Sequence, residues 1–260
     1  MNSAILSESL PIISFGDFTT SNYLTLGINP SSNEFTENRG DTWASLSDQT
    51  LISDSQIYSI YEASCAYFNK GMNPYKWFDF PRITLNALGV SYGQGFEEMT
   101  DHNSNYQKRA SHIDLTPWTT KKRWSKTDFK IREKLLLHNS EFLMQQLMHD
   151  SVEVILILGS DTLSGFKKSM RSMGISCRES EGAPFRITKE AREVMYKKIT
   201  FSSREAFFVS QGPSAQEALS RNVRRRTSRP PKKTDQSLKE EKQQIFVDFA
   251  EYIYQNNRLR

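Results

Sequence analysis

The chain has 260 residues, 37% of them hydrophobic and 12% aromatic, with 34 Lys and Arg against 30 Asp and Glu. That length suffices for one large core or two small ones, and the aromatic content excludes a disordered chain. Its longest apolar run, residues 154–158, is far below the roughly 20 residues of a spanning helix, so no membrane contact is expected.

No basic-then-apolar leader opens the sequence, and its two cysteines, Cys65 and Cys177, stand apart. A secretion signal, a disulfide scaffold and an iron–sulfur centre are therefore not expected, and a cytoplasmic location is. The net charge of +4 is unevenly spread: residues 221–233 hold seven cations and no acid, so the remainder sums to −3. A near-neutral body with one basic strip suggests local contact with a polyanion, nucleic acid first, although a solvated linker has the same composition.

In chain order, four segments read as buried strands: 23–28 (YLTLGI), 111–115 (SHIDL), 152–158 (VEVILIL) and 206–210 (AFFVS). Each is short and rich in apolar or β-branched residues, and each is followed by turn residues. Helical patterns alternate with them. Asp54 caps the first, with Ile57, Ile60, Tyr61, Ser64 and Phe68 on one stripe and a stop at Gly71. Residues 81–88 form a short one ending at Gly89. Thr127 caps a long one with Ile131, Leu135, Phe142, Leu143 and Leu147 inward, and residues 160–173 form another, ending at Gly174.

Strands separated by helices imply parallel pairing with right-handed crossovers. The expected fold is α/β, a three-layer α/β/α sandwich on a four-stranded parallel sheet. Residues 91–109 read as a long polar loop, and 175–203 as a small antiparallel addition beside the fourth strand. The domain plan is an α/β/α unit over 1–222, a basic linker over 223–235 and an amphipathic C-terminal helix over 236–260, with Leu238, Ile245, Phe246, Phe249 and Ile253 on one face.

In an open parallel sheet, ligands bind where strands end. The four strands lead into Gly27-Ile28-Asn29-Pro30-Ser31-Ser32, Asp114-Leu115-Thr116-Pro117, Gly159-Ser160-Asp161-Thr162 and Gln211-Gly212-Pro213-Ser214. Small residues and hydroxyls suit close approach to phosphates, while Asn-Pro and Gly-Pro are also ordinary turns. His102, His138 and His149 show no ligand spacing, so neither a metal nor a cofactor is expected. Ser160 and Ser214 lack the elbow of a serine hydrolase. Cys65 falls on an inner helical stripe and reads as core.

Residues 27–30 (Gly-Ile-Asn-Pro), with Gly212-Pro213-Ser214 after the last strand, resemble the two motifs of the uracil-DNA glycosylase superfamily, nearest its mismatch-specific and single-strand-selective branches. The resemblance spans residues 20–225, with only the first motif close to literal. It implies a four-stranded parallel sheet and hydrolysis of the bond between a base and deoxyribose, the base being extruded from DNA into a pocket.

On that resemblance Asn29 orients the attacking water, because a carboxamide has no useful basicity, and backbone N–H groups around Ile28 face the base. Trp43, with Phe35 second, is the aromatic that stacks on the base. Ser31, Ser32 and Ser214 grip phosphates, Leu219 or Arg221 fills the vacated stack, and Arg224 and Arg225 belong to the strip that adds salt-sensitive affinity.

Two departures bear on substrate. The family places a base-reading Asn where this chain has Asp114, three residues before Pro117. An ionised carboxylate only accepts, which suits an exocyclic amine such as cytosine N4 and disfavours uracil O4. His112, two residues earlier on the same strand face, either orients Asp114 or donates to the leaving base. Many members have His-Pro-Ser where this chain has Gly212-Pro213-Ser214, so that donor is missing and the site gains room. The expected substrate is a bulky modified cytosine, for example glucosylated hydroxymethylcytosine of phage DNA, as antiviral defence. Uracil or mismatch repair, a non-catalytic reader of modified DNA and a small-molecule nucleoside hydrolase are the alternatives. DNA is the expected partner, and no protein partner is indicated.

Overall fold

A strand buried on both faces must send alternate residues into two different cores, and the first strand does so. In β1, Tyr23–Gly27, Tyr23 packs with Phe15, Ile60, Phe68, Phe78 and Leu85, while Leu24 and Leu26 pack with Leu136, Leu143, Phe166 and Met170. The computed structural model describes residues 4–6, 9–35, 54–69, 76–93, 108–180, 184–185 and 194–209.

The other strands are β2 (Val90–Ser91), β3 (Lys108–Asp114), β4 (Val154–Leu158), β5 (Cys177–Glu179), β6 (Pro184–Phe185), β7 (Val194–Phe201) and β8 (Arg204–Val209). They form one sheet in the order β2-β3-β1-β4-β8-β7-β5, with β6 pairing β7 from outside that path. The pairings from β2 through β8 are parallel, and those of β7 with β8, β5 and β6 are antiparallel.

The four expected strands are thus the contiguous parallel core β3-β1-β4-β8, but the sheet is not four-stranded. It is a mixed sheet, with seven strands along the main path and β6 beside β7. β2 supplies a fifth parallel member, too short to stand out as an apolar run, at the start of the expected 91–109 loop. The antiparallel addition after residue 175 is continuous with the main sheet, because β7 pairs along β8 from Tyr196↔Val209 to Phe201↔Arg204.

Helices α1 (Asp54–Ala66) and α2 (Asp79–Ala87) contribute Ile60 and Leu85 to one core. Helices α3 (Phe129–His138), α4 (Ser140–Leu147) and α5 (Ser160–Ser172) contribute Leu136, Leu143, Leu147, Phe166 and Met170 to the other. The single long helix expected from Thr127 is therefore two. Asn139 turns its amide back on the Leu135 carbonyl (2.7 Å) and onto Thr116 Oγ1 (3.2 Å), competing with the helical ladder.

The break resets the helical phase, so Phe142, expected inward, is exposed. The N-cap is Asp128, whose carboxylate accepts from the backbone N–H groups of Lys130 and Ile131, while Thr127 is buried beneath the preceding turn. Likewise Tyr61 is exposed and Cys65 only half-buried, off the core face of α1.

The edge of β3 beyond β2 is closed by the N-terminal segment. Phe15 and His112 exchange two backbone hydrogen bonds of 2.8 Å, and Ile12 N–H donates to the Pro117 carbonyl at 2.9 Å. Farther along, Leu6 N–H donates to Thr119 and Lys121 N–H to Ala4, each at 2.9 Å. The expected linker 223–235 and helix 236–260 lie outside the described residues. Among the described residues no helix is long and apolar enough to cross a membrane.

Burial, aided by the Glu153 carboxylate, pushes the Tyr23 hydroxyl up to about 12. An unfolded tyrosine ionises near 10, so between those values the unfolded chain has lost a proton that the folded chain keeps. The stabilisation is complete below the lower value and declines as pH rises. Tyr23→Phe is expected to flatten this alkaline decline by about 1 kcal/mol near pH 11, measured by urea unfolding across pH.

Candidate functional site at the ends of the central strands

The register of β1 on β3 sets Thr25 beside His112 and Gly27 beside Asp114. All four lie on the sheet face covered by α1 and α2, because strand side chains alternate. Gly27 has no side chain where the two from β3 need space. A Cβ there would stand 2.4 Å from Asp114 Oδ1 and 2.8 Å from His112 Cε1 and Nε2. The glycine of the Gly-Ile-Asn-Pro motif therefore admits the His112 and Asp114 side chains across the strand.

His112 Nε2 lies 3.4 Å from Asp114 Oδ1, with both side chains only 4% exposed. On the other ring nitrogen, His112 Nδ1 is 2.9 Å from Thr25 Oγ1, which is 2.6 Å from the Tyr92 hydroxyl. Donor counting gives this chain a direction. With Nε2–H turned to the carboxylate, Nδ1 accepts from Thr25, and Thr25 accepts from Tyr92. Burial pushes the Tyr92 hydroxyl well above its ordinary value, so it stays a donor.

Aromatic rings wall the histidine. Trp77 lies at 4.7 Å, Phe78 at 5.3 Å and Phe15 at 5.7 Å between ring centroids. Both readings of His112 remain: it lies in contact with Asp114 Oδ1, and its Nε2 lies at the strand-end face. The second carboxylate oxygen, Oδ2, has no hydrogen-bond partner among the described residues.

Asn29 lies two residues beyond Gly27 and is part-buried. Its Nδ2 donates to the Pro30 carbonyl (3.0 Å) and to Thr120 Oγ1 (3.3 Å), and Thr120 in turn donates to the Lys122 carbonyl (2.6 Å). The amide orientation follows from these acceptors, and Oδ1 is left without a protein partner among the described residues. The strand-end region therefore holds two acceptor oxygens, on Asn29 and Asp114, whose neighbouring atoms are engaged and which have no hydrogen-bond partner among the described residues.

The remaining expected residues divide three ways. Ile28 is part-buried against the α3–α5 core, and its carbonyl accepts from Thr116 N–H at 3.3 Å. Ser31 Oγ accepts from Asn33 N–H at 3.2 Å in a turn that runs into the 3-10 helix Ser32–Phe35, so Ser31 closes a turn while Ser32 is exposed. Phe35 is half-buried and packs partly on the core containing Phe15 and Tyr67. Trp43, Ser214, Leu219, Arg221, Arg224 and Arg225, with the Gly212-Pro213 turn, lie outside the described residues.

Thr25, Trp77, Tyr92 and Thr120 were not singled out from the sequence. Glu34 was missed too, a buried carboxylate accepting from the Tyr67 hydroxyl at 2.9 Å. A hollow of about 420 Å³ where α5 ends, lined by Lys167, Arg171, Ile175 and Cys177, shares no residue with the strand-end cluster. Among the described residues no three His, Cys, Asp or Glu are grouped to hold a metal ion.

Thr25→Val is expected to lower stability by about 1–3 kcal/mol, because it removes the hydroxyl that bonds both the Tyr92 hydroxyl and His112 Nδ1 in the core. Adding Tyr92→Phe restores part of that loss, a non-additivity read from urea midpoints. Gly27→Ala is expected to separate His112 from Asp114, seen as a changed imidazole tautomer in nitrogen-15 NMR. Set against models of protein families and against curated proteins, the chain matches none, and the chemistry of the site rests on its own residues.

Proposed function

We propose that the protein is a monofunctional DNA N-glycosylase that removes an extruded, amine-bearing base, foremost a modified cytosine, and leaves an abasic site. The observation that carries this reading is the pair of open acceptor oxygens on Asn29 and Asp114, each held by hydrogen bonds or contacts to its other atoms. The likeness of residues 27–30 to the first motif of the uracil-DNA glycosylase superfamily supports it.

In this reaction Asn29 Oδ1 accepts a hydrogen bond from water and aims its oxygen at the anomeric carbon. Holding the water in a near-attack position supplies the orientation that bulk solution lacks. As the carbon–nitrogen bond breaks, the sugar gains positive and the base negative charge. The hydroxyl of water ends on the sugar and its proton on the base. Asp114 Oδ2 accepts from the exocyclic amine, and the His112 Nε2–H moderates the carboxylate charge toward the departing base. Uracil presents a carbonyl where the amine would be and is disfavoured.

Trp77, beside His112 and packed partly on the same core as Phe35, joins Trp43 and Phe35 as an aromatic to stack on a base entering this region. Ser31, Ser32 and Ser214 contact flanking phosphates, and the Arg224–Arg225 strip adds affinity that falls with salt. Bulky cytosine modifications of phage DNA fit this reading, with a role in defence. No lysine belongs to the proposed site, so no Schiff base forms and borohydride is expected to trap nothing.

The test is mass spectrometry of bases released from natural and phage DNAs. Release of a modified cytosine is expected, with Asn29→Ala slowing it by about 100-fold or more while DNA binding persists. Asp114→Asn is expected to shift preference toward uracil. Preferential release of uracil by the unaltered protein would overturn the substrate class. Tight binding with no base released would overturn the enzyme and leave a modified-DNA reader.

A further inference from the structure

The segment that fixes Asn29 also carries an unneutralised cluster of charge. Residues 117–127 contain Lys121, Lys122, Arg123 and Lys126 and no acid, and all four cations are exposed. None has an ion-pair partner among the described residues. Lys108, Lys167, Lys168, Lys197 and Lys198, by contrast, each lie against a Glu carboxylate. The nearest acid along the chain, Asp128, has its carboxylate turned onto the first N–H groups of α3.

This hook is a built structure rather than a loose loop. Its first arm pairs with the N-terminal segment through Leu6 N–H to Thr119 and Lys121 N–H to Ala4. Its turn is closed by Lys126 N–H to Arg123 (2.8 Å) and Thr127 N–H to Trp124 (3.1 Å). Trp124 packs on the α3–α5 core, and buried Thr127 donates toward the Lys122 and Arg123 carbonyls. Backbone polar groups are satisfied inward, so the ammonium and guanidinium groups project outward. Cations carried on a hydrogen-bonded backbone cost less backbone entropy to order on an anion than those on a flexible segment.

The hook is joined to the proposed site through one side chain, since Thr120 accepts from Asn29 and donates to Lys122. Four cations within six residues, none paired, complement a polymer with closely spaced single negative charges. We infer that the 120–126 hook is a second nucleic-acid contact, distinct from the 221–233 strip, and that it grips backbone phosphates of duplex DNA beside the nucleotide offered to Asn29. The choice of DNA rests on the glycosylase reading. The charge cluster and its coupling to Asn29 do not.

The test is fluorescence anisotropy of the full chain with an unmodified duplex oligonucleotide between 50 and 200 mM salt. Each phosphate contact contributes about 0.9 to the slope of log affinity against log salt, so four contacts separate the two extremes by roughly 100-fold. The variant Lys121→Ser/Lys122→Ser/Arg123→Ser/Lys126→Ser is expected to lower the slope by about 3.6, leaving the share of the 221–233 strip, with its thermal melt unchanged. A charge-matched control with Lys167→Ser, Lys168→Ser, Lys197→Ser and Lys198→Ser is expected to keep the full slope.

An unchanged slope in the hook variant would overturn the inference, as would an equal loss in the control, which would mean that only net charge matters. A hook-dependent slope in a protein that releases no base from any DNA would support the hook and remove the glycosylase reading. Base release with a hook-independent slope would do the reverse.

Discussion

The close approach of β3 side chains over Gly27 is the constraint on which the strand-end cluster depends. Parallel strands in a sheet lie about 4.8 Å apart, leaving little room for a side chain to lean across its neighbour. The missing Cβ at Gly27 creates that room, and Asp114 and His112 occupy it. From there the polar connections run through Thr25 to Tyr92, the residue that follows β2. A polar chain this deep costs stability unless each member has a partner, and here each link supplies one. The aromatic wall of Phe15, Trp77 and Phe78 keeps water away from the imidazole and strengthens those links.

The two cores divide the work. The face holding Leu24, Leu26, Ile113, Ile155 and Ile157 packs aliphatic side chains against three helices and contains no part of the His112 network. The face under α1 and α2 combines a cluster of interlocking rings with the polar chain. Stability and chemistry thus occupy opposite sides of one sheet, and β1 serves both through its alternation.

The parallel core was legible because its strands are short apolar runs with Gly, Pro or Asn after them, a local signal. The antiparallel extension was legible in its pattern, though not in its continuity with the sheet. β2 was not, because Val90 and Ser91 carry too little pattern to distinguish a strand from a helix end. The split at Asn139 escaped because the apolar spacing continues across it, and only the contact with Thr116, distant in sequence, makes the turn favourable. Of the site, Asn29, His112 and Asp114 could be read from strand-end position. Thr25, Trp77, Tyr92 and Thr120 acquire meaning only through partners distant in sequence, such as the Tyr92–Thr25 and Asn29–Thr120 pairs, whose separations are 67 and 91. No pattern along the chain announces such pairs.

The N-terminal segment's pairing with residues 112–121 has a consequence for the order of assembly. Ala4 and Lys121 must meet across more than a hundred intervening residues, and closing a loop that long forfeits entropy before any contact repays it. During synthesis residues 4–6 would wait for these partners until β3 and the turn beyond it had been made. The seat for the Asn29 amide is then among the later features to mature, and a nascent chain halted before residue 121 would have strands without a working edge.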